Sequence, residues 1–346
     1  MYVTPRPNVS EDPLYAVRMG MTGMLAYAFV ALLNPALPPI IAALPLGLIA
    51  AQRKAFNPAK MLAAPIVMIA IVYAMTWFVE QLRPMPLVYV GAMWLTYFVA
   101  FRMILKTGAP LGMLIIIVAL LMSIMGMHGT ATLETMRDGF VQASLVALII
   151  GPLVYMVLPA RTPELHVDDP LPSPGNIEVG AAIRATVLLG LSFWLYSVMQ
   201  PSDMMMAMIA AMVIVFPTRE RVWGEALQRI RATLYGVAIA MLVLWLFAWS
   251  SHLSILLGLI FLSGLFLGSR MLSGPHPSMV YQYAFSVTLA LVAGALSTQD
   301  PAYASFTRIV LTLVGAFSAA FAVALLDMLT DWRGNDTLPA QANSGG

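Results

Sequence analysis

Residues 86–104 read PLVYVGAMWLTYFVAFRMI, and residues 252–270 read HLSILLGLIFLSGLFLGSR. Each stretch is close to the roughly 20 apolar residues that a helix needs to cross the hydrocarbon core of a bilayer. Each carries one arginine near its carboxyl end, Arg102 in the first and Arg270 in the second. The two stretches therefore predict membrane-spanning helices, and their shared arginine is the first sign of an internal repeat.

The composition of the whole 346-residue chain is that of a membrane protein. Hydrophobic residues make up 60%, charged residues only 10%, and the mean hydropathy is +0.86. Soluble proteins carry about 25% charged residues, so the lipid bilayer is the expected partner of this surface. A net charge of +2 does not indicate a nucleic-acid partner. No cysteine and four scattered histidines predict neither a metal site nor a cofactor.

Twelve apolar segments, bounded by charged residues, proline or glycine, are predicted to span the membrane. The first six are approximately 15–33, 36–51, 61–79, 86–104, 109–127 and 138–158. The second six are approximately 180–199, 202–217, 230–249, 252–270, 277–297 and 303–328. The predicted fold class is an all-α integral membrane protein of about twelve transmembrane helices.

These spans are predicted to form two tandem six-helix repeats, residues 15–158 and 180–329. A polar linker, residues 159–179, joins them, and polar tails cover 1–14 and 330–346. Several residues recur at a nearly constant separation. The matched pairs are Arg18 with Arg184, Pro35 with Pro201, Arg53 with Arg219, Arg102 with Arg270, and Arg137 with Arg308. Because each half has an even number of spans, both enter the membrane from the same side, which makes the repeat parallel.

The distribution of basic residues predicts the orientation. With the N-terminus in the cytoplasm, only Arg83, Arg137 and Arg308 of the 18 lysines and arginines fall on the outer side. The positive-inside rule favours this arrangement. No cleavable signal peptide is evident at the N-terminus. We therefore expect a multi-pass protein of the bacterial inner membrane with both termini in the cytoplasm.

Four arginines are the candidate substrate-binding residues: Arg102, Arg270, Arg18 and Arg184. A guanidinium is always charged and binds carboxylates through two parallel hydrogen bonds, so equivalent arginines facing a cavity predict an organic anion as substrate. Two alternatives stay open. Arg102 and Arg270 could anchor their helices at the cytoplasmic headgroups, and Arg18 and Arg184 could make a structural contact with Asp327.

The second segment of each half, 36–51 and 202–217, is short and flanked by proline. Short or proline-interrupted segments at matching positions of two repeats indicate a transport site, and a short ordinary span is the alternative. Asp203 at the outer end of the second segment is the candidate for carrying a coupling proton. The alternative role for Asp203 is that of a helix N-cap.

Residues 228–236, QRIRATLYG, open the third helix of the second half. The small residues Ala232 and Gly236, four apart, predict close approach of another helix. The stretch resembles the Q-R-x-x-G-T-x-x-G signature of the fusaric acid resistance and aromatic acid exporter family. The matching positions are Gln228, Arg229, Thr233 and Gly236, whereas Ala232 stands where the family usually has glycine.

The resemblance implies an exporter of aromatic or other hydrophobic carboxylates, commonly acting with a periplasmic adaptor of the membrane-fusion type. The chain is similar to a compact branch, because the large cytoplasmic insert of many members is reduced here to the short linker. A passive anion channel and a scaffold subunit of an efflux complex are the alternatives. A membrane-embedded enzyme is not expected, because no convergent histidine, aspartate and serine set is apparent in the spans.

Overall fold

The computed structural model describes residues 7–51, 54–107, 110–165, 176–198, 219–297, 321–322 and 325–326. These residues form ten helices and one isolated β-bridge, between Ala55 and Leu165. The first six helices are α1 (Tyr15–Leu33), α2 (Pro38–Ala51), α3 (Pro58–Leu82), α4 (Pro86–Thr107), α5 (Pro110–His128) and α6 (Thr130–Val157). The other four are α7 (Ile177–Val198), α8 (Arg219–Trp249), α9 (Leu253–Ser273) and α10 (Ser278–Ser297).

The predicted all-α membrane class is confirmed. Nine of these helices are long and apolar enough to cross a membrane, and α2 is a shorter apolar helix. Ten of the predicted spans therefore coincide with a helix. The other two, 202–217 and 303–328, lie outside the described residues apart from 321–322 and 325–326.

Two helices begin well before the apolar stretch that predicted them. Helix α8 begins at Arg219, although only Ile230–Trp249 has the composition of a membrane span. Helix α6 begins at Thr130, whereas its predicted span starts at 138. Hydrophobicity marks the bilayer boundary rather than the end of the helix, and polar residues with good helix propensity continue a helix that is already nucleated.

Contacts between helix ends fix the relative directions of α4, α5 and α7. Arg102, near the end of α4, bonds Glu178 at the start of α7, with 2.7 Å between Nε and Oε1. Helices α4 and α7 are therefore antiparallel. At the opposite side, the ring of His128 at the end of α5 lies 4.8 Å from the ring of Tyr196 near the end of α7. Helices α5 and α7 therefore run in the same direction.

Helix α1 packs on α9, and α4 packs on α7. The α1–α9 crossing is close because small residues face each other. A Cβ added at Gly20 would lie 2.7 Å from the carbonyl oxygen of Phe261, and one at Gly268 would lie 2.8 Å from the Cα of Ala16. The ring of Phe285, from α10, fills the adjacent space. Backbones approach this closely only where side chains are small.

Three segments outside the spans meet on one side of the protein. The amide of Ala55 donates to the carbonyl of Glu164 at 3.0 Å, and the amide of Thr162 donates to the carbonyl of Glu11 at 3.2 Å. The Lys54 ammonium lies 2.6 Å from the Glu164 carboxylate. We call this group of contacts the linker clasp, because it joins the N-terminal segment and the α2–α3 loop to the start of the linker.

Candidate functional site

Arg18 is fully buried at the start of α1. Its guanidinium forms an ion pair with Asp12, which is also fully buried. It donates a hydrogen bond of 2.8 Å to the carbonyl oxygen of Leu158 and lies over the ring of Tyr155, 4.2 Å from the centroid. These contacts join the start of α1 to the end of α6. The carboxylate of Asp12, a residue that the sequence prediction had placed in the N-terminal tail, neutralises the charge of Arg18.

Arg184 is also fully buried, in α7. One of its terminal nitrogens donates a hydrogen bond of 3.0 Å to the carbonyl oxygen of Gly180, one turn earlier. Helix α7 packs on α4 and α5. A permanent cation inside a membrane span is energetically costly, so such a residue marks either a functional site or a specific ion pair.

Arg102 and Arg270 occupy equivalent places near the carboxyl ends of α4 and α9 and are exposed. The side chain of Arg102 is 46% exposed and pairs with Glu178. The guanidinium of Arg270 lies 5.4 Å from the centroid of the Phe266 ring. Helix α4, which carries Arg102, packs on α7, which carries Arg184. Helix α9, which carries Arg270, packs on α1, which carries Arg18.

The 228–236 stretch lies in α8 and packs on α10. Thr233 and Gly236 are buried, and a Cβ added at Gly236 would lie 2.6 Å from the carbonyl oxygen of Ala284. The hydroxyl of Thr288 donates to the carbonyl oxygen of Gly236 at 3.1 Å. The close helix approach predicted from the small residues is therefore confirmed, and this part of the motif stabilises the α8–α10 contact.

The remaining predicted site residues take different places. Gln228 is half-buried on α8, and Arg229 lies on the same helix. Asp203, the candidate for proton coupling, lies outside the described residues, as does Asp327.

A group of buried hydroxyls was missed by the sequence prediction. The hydroxyl cluster consists of Tyr97 on α4, Ser123 on α5 and Ser192 on α7. The Tyr97 hydroxyl lies 3.0 Å from Ser123 Oγ and 3.2 Å from Ser192 Oγ. All three side chains are buried in an otherwise apolar core. Because each residue comes from a different helix, no spacing along the chain predicts the cluster.

A small cavity adjoins the hydroxyl cluster between α4, α5 and α7. Tyr97, Ser123 and Ser192 line one part of it. Apolar and aromatic side chains, among them Met93 and Phe193, line the rest. The cavity is about the size of a single water molecule.

The fold and these buried polar groups define a polytopic helical membrane protein with charged and hydroxyl groups inside its spans. Residues 191–322 match the family described as fusaric acid resistance protein-like, which confirms the resemblance seen at 228–236. The match implies a general function in transport or export. No significant match to the chain occurs among curated proteins or among solved structures.

Proposed function

We propose that this protein exports small organic anions, aromatic or hydrophobic carboxylates, across the inner membrane of a bacterium. The observation that carries the proposal is the complete burial of Arg184 in α7, where this helix packs on α4 and α5. A guanidinium cannot lose its charge in a protein, and it binds a carboxylate with two parallel hydrogen bonds. Arg184 would bind the carboxylate of the exported anion in this way.

The polar groups of the α4–α7 contact suggest an order of binding. The Arg102–Glu178 pair is exposed at the end of α4, so an incoming carboxylate competes with Glu178 for Arg102. Arg184 follows on α7, and Ser192 lies eight residues further, about 12 Å along the helix axis. An anion thus passes from Arg102 to Arg184 and then reaches the hydroxyl cluster.

Helix packing supports the proposal of two tandem repeats. The first helix of each predicted half packs on the fourth helix of the other, α1 on α9 and α7 on α4. Asp12, just before α1, and Glu178, in the first turn of α7, have the same separation as Arg18 and Arg184. Asp12 neutralises Arg18 directly, whereas Glu178 bonds Arg102. Arg270 would be the counterpart of Arg102 in the second half.

Three further parts of the proposal concern coupling, partners and topology. Asp203 would carry a proton in exchange for the anion. A periplasmic adaptor of the membrane-fusion type would extend the export route. The linker clasp brings together Glu11, Lys54 and Glu164, three residues that the charge distribution assigns to one side, and this supports cytoplasmic termini.

Everted membrane vesicles test this function. We would follow uptake of labelled 4-hydroxybenzoate and fusaric acid with and without an acidic lumen, holding the voltage at zero with potassium and valinomycin. We expect uptake that needs the acidic lumen and that the Arg102→Ala/Arg270→Ala double variant and Arg184→Gln abolish. Arg161→Ala, at an exposed arginine of the linker, is the control and should transport normally.

Each other outcome of this experiment has a defined meaning. Uptake that is indifferent to the proton gradient would show a passive anion channel. Full transport by the double variant would remove Arg102 and Arg270 from the site. A correctly inserted protein that takes up neither acid would contradict export of these anions and favour a scaffold role.

A further inference from the structure

Asp12 binds Arg18 through only one of its two carboxylate oxygens. The Oδ2 atom contacts a terminal nitrogen of the guanidinium, whereas Oδ1 is buried without a hydrogen-bond partner. The Nε atom of Arg18 is likewise buried without a partner. A carboxylate that is free to orient itself bonds a guanidinium through two parallel hydrogen bonds. Asp12 therefore satisfies Arg18 incompletely, and an untethered carboxylate would form one more hydrogen bond at the same place.

The backbone on both sides of Asp12 restrains its carboxylate. The amide of Asp12 donates to the carbonyl oxygen of Asn8 at 3.0 Å, and the carbonyl oxygen of Asp12 accepts from the amide of Tyr15 at 3.2 Å. Both backbone groups of Asp12 are thus held, and its short side chain has little freedom to align with the guanidinium. The single-oxygen contact follows from this tether.

The segment that carries Asp12 lies on the surface and inserts this side chain into the protein. We call residues 7–14 the N-terminal strap. Among residues 8–14, only Asp12 is buried. The carbonyl oxygen of Glu11 accepts from the amide of Thr162 at 3.2 Å, and the Glu11 carboxylate lies 3.8 Å from the Lys54 ammonium. Moving the strap away would therefore uncover Arg18 and transfer only one buried side chain of residues 8–14 to water.

The free energies of hydration also favour an exchange of carboxylates. Burial raises the pKa of the Asp12 carboxyl group, because the lost hydration outweighs the attraction of Arg18 and its hydrogen bond. The ionised carboxylate therefore regains favourable hydration when it leaves the site. Arg18 stays charged in either state and needs a counter-charge while it is buried. An anion that replaces Asp12 on Arg18 meets both requirements.

We propose that Arg18 is an anion-binding site which the N-terminal strap closes, and that the carboxylate of an incoming organic anion opens it by displacing Asp12. The inference rests on the proposed function, because the exported anion is the expected ligand. Asp12 acts as a tethered competitor, and a tethered group competes at an effective concentration on the order of millimolar. The site fills only when the anion accumulates in the cytoplasm, so the strap is an autoinhibitory contact.

The surroundings of Arg18 that do not belong to the strap suit an aromatic carboxylate. The hydrogen bond of 2.8 Å to the carbonyl oxygen of Leu158 keeps the guanidinium oriented when Asp12 leaves. The ring of Tyr155 lies 4.2 Å from the guanidinium carbon, and the ring of Phe56 lies 5.3 Å from that of Tyr155. Aromatic rings pack favourably on each other, so an anion with an aromatic body gains contacts that Asp12 does not make.

Thermal stability of the full chain in lipid nanodiscs, measured over a range of benzoate concentrations, tests the site without requiring transport. A ligand that binds the folded protein raises its melting temperature, and the concentration dependence gives the affinity. Asp12→Asn keeps the shape of the side chain and removes the competing charge. We expect this variant to bind benzoate about tenfold more tightly than wild type, because a larger fraction of the sites is open.

Two further variants assign the gain in affinity to Arg18. Glu11→Gln is the matched control, since it removes a charge from the same strap at a side chain that is 37% exposed and pairs with Lys54. It should bind benzoate as wild type does. The gain should vanish in Asp12→Asn/Arg18→Gln, which retains every other anion site. Equal affinities of Asp12→Asn and wild type, or a gain that persists without Arg18, would overturn the inference.

Release of the strap can be followed in a protein that keeps Asp12 and Arg18. Val9 is 53% exposed and the chain has no cysteine, so a spin label at Val9→Cys reports the strap alone. Saturating benzoate should increase the mobility of the label, whereas the uncharged benzamide should not. An immobile label at saturating benzoate would overturn the inference, whether or not Asp12→Asn folds.

The two readouts also separate this inference from the proposed function. Strap release by benzoate without uptake in vesicles would keep the Arg18 site and contradict export. Uptake in vesicles without strap release would keep export and exclude the strap as its inhibitor.

Discussion

Asp12 and Arg18 form an ion pair in which both side chains are completely buried. The pair sits where the N-terminal segment enters α1, and Arg18 also bonds the carbonyl oxygen of Leu158 beyond the end of α6. Removing one partner of a buried ion pair leaves an uncompensated charge, which destabilises a protein by about 3–5 kcal/mol. The pair therefore fixes the N-terminal segment against α1 and the end of α6.

Asp12→Ala should destabilise the protein by roughly 3 kcal/mol because it leaves the Arg18 guanidinium without its counter-charge. Thermal unfolding in detergent, followed by circular dichroism, measures the change. Glu11→Ala is the control, since the neighbouring Glu11 side chain is 37% exposed and lies 3.8 Å from Lys54. Equal melting temperatures for the two variants would show that the buried pair is not a structural contact.

Gly236→Ala should lower the melting temperature, because the added Cβ would lie 2.6 Å from the carbonyl oxygen of Ala284 and force α8 away from α10. Gly258→Ala, on α9, meets nothing within 4 Å and should be neutral or stabilising by up to about 1 kcal/mol from helix propensity. Both variants replace a helical glycine by alanine, so they differ only in the surroundings of the added Cβ. If Gly236→Ala matched Gly258→Ala, the motif glycine would not be required for packing.

The two predicted halves should assemble only with each other. Helix α1 buries its small residues on α9, and α4 packs on α7, so each half exposes an unpartnered helix face when expressed alone. We expect a chain split at residue 170 to copurify as two fragments when both are expressed, and neither fragment to accumulate alone. Gly20→Leu should prevent copurification, whereas Gly47→Leu, in open space, should not. Stable accumulation of a single half would contradict this interlocked packing.

The linker clasp should open in acid. A hydrogen bond from the Lys54 ammonium holds the pKa of Glu164 below its usual value of 4.5. The carboxylate therefore stabilises the clasp above pH 4.5, and this contribution is lost as the pH falls through the lowered pKa. The chain has no cysteine, so spin labels at Ala55→Cys and Leu165→Cys can report the opening as increased mobility. In a Glu164→Gln background the acid transition should be absent, and an unchanged transition would exclude Glu164 as its cause.

The sequence predicted the spans well because bilayer thickness imposes their length and composition. Ten of the predicted spans coincide with helices, and the close approach of a second helix at Gly236 was predicted from the spacing of small residues alone. The extension of α8 back to Arg219 was not predicted, since charged residues outside the bilayer leave no hydrophobic signal.

The buried polar groups were harder to predict than the spans. In the sequence, Asp12 belongs to a polar tail, and only the structure shows that its side chain is buried beside Arg18. Tyr97 and Ser192 are ordinary residues of two spans separated by the linker and become a cluster through the packing of α4 on α7. Contacts between helices distant in sequence depend on packing geometry, which periodicity along one helix does not encode.

Transport by the purified chain alone is the most direct test of the central claim. Reconstituted into liposomes with no other protein, the wild type should accumulate labelled 4-hydroxybenzoate when a proton gradient is imposed, and Arg184→Gln should not. Accumulation by Arg184→Gln at the wild-type rate, or no accumulation by a folded and correctly inserted wild type, would contradict the proposal that the buried arginine of α7 carries an organic anion through this protein.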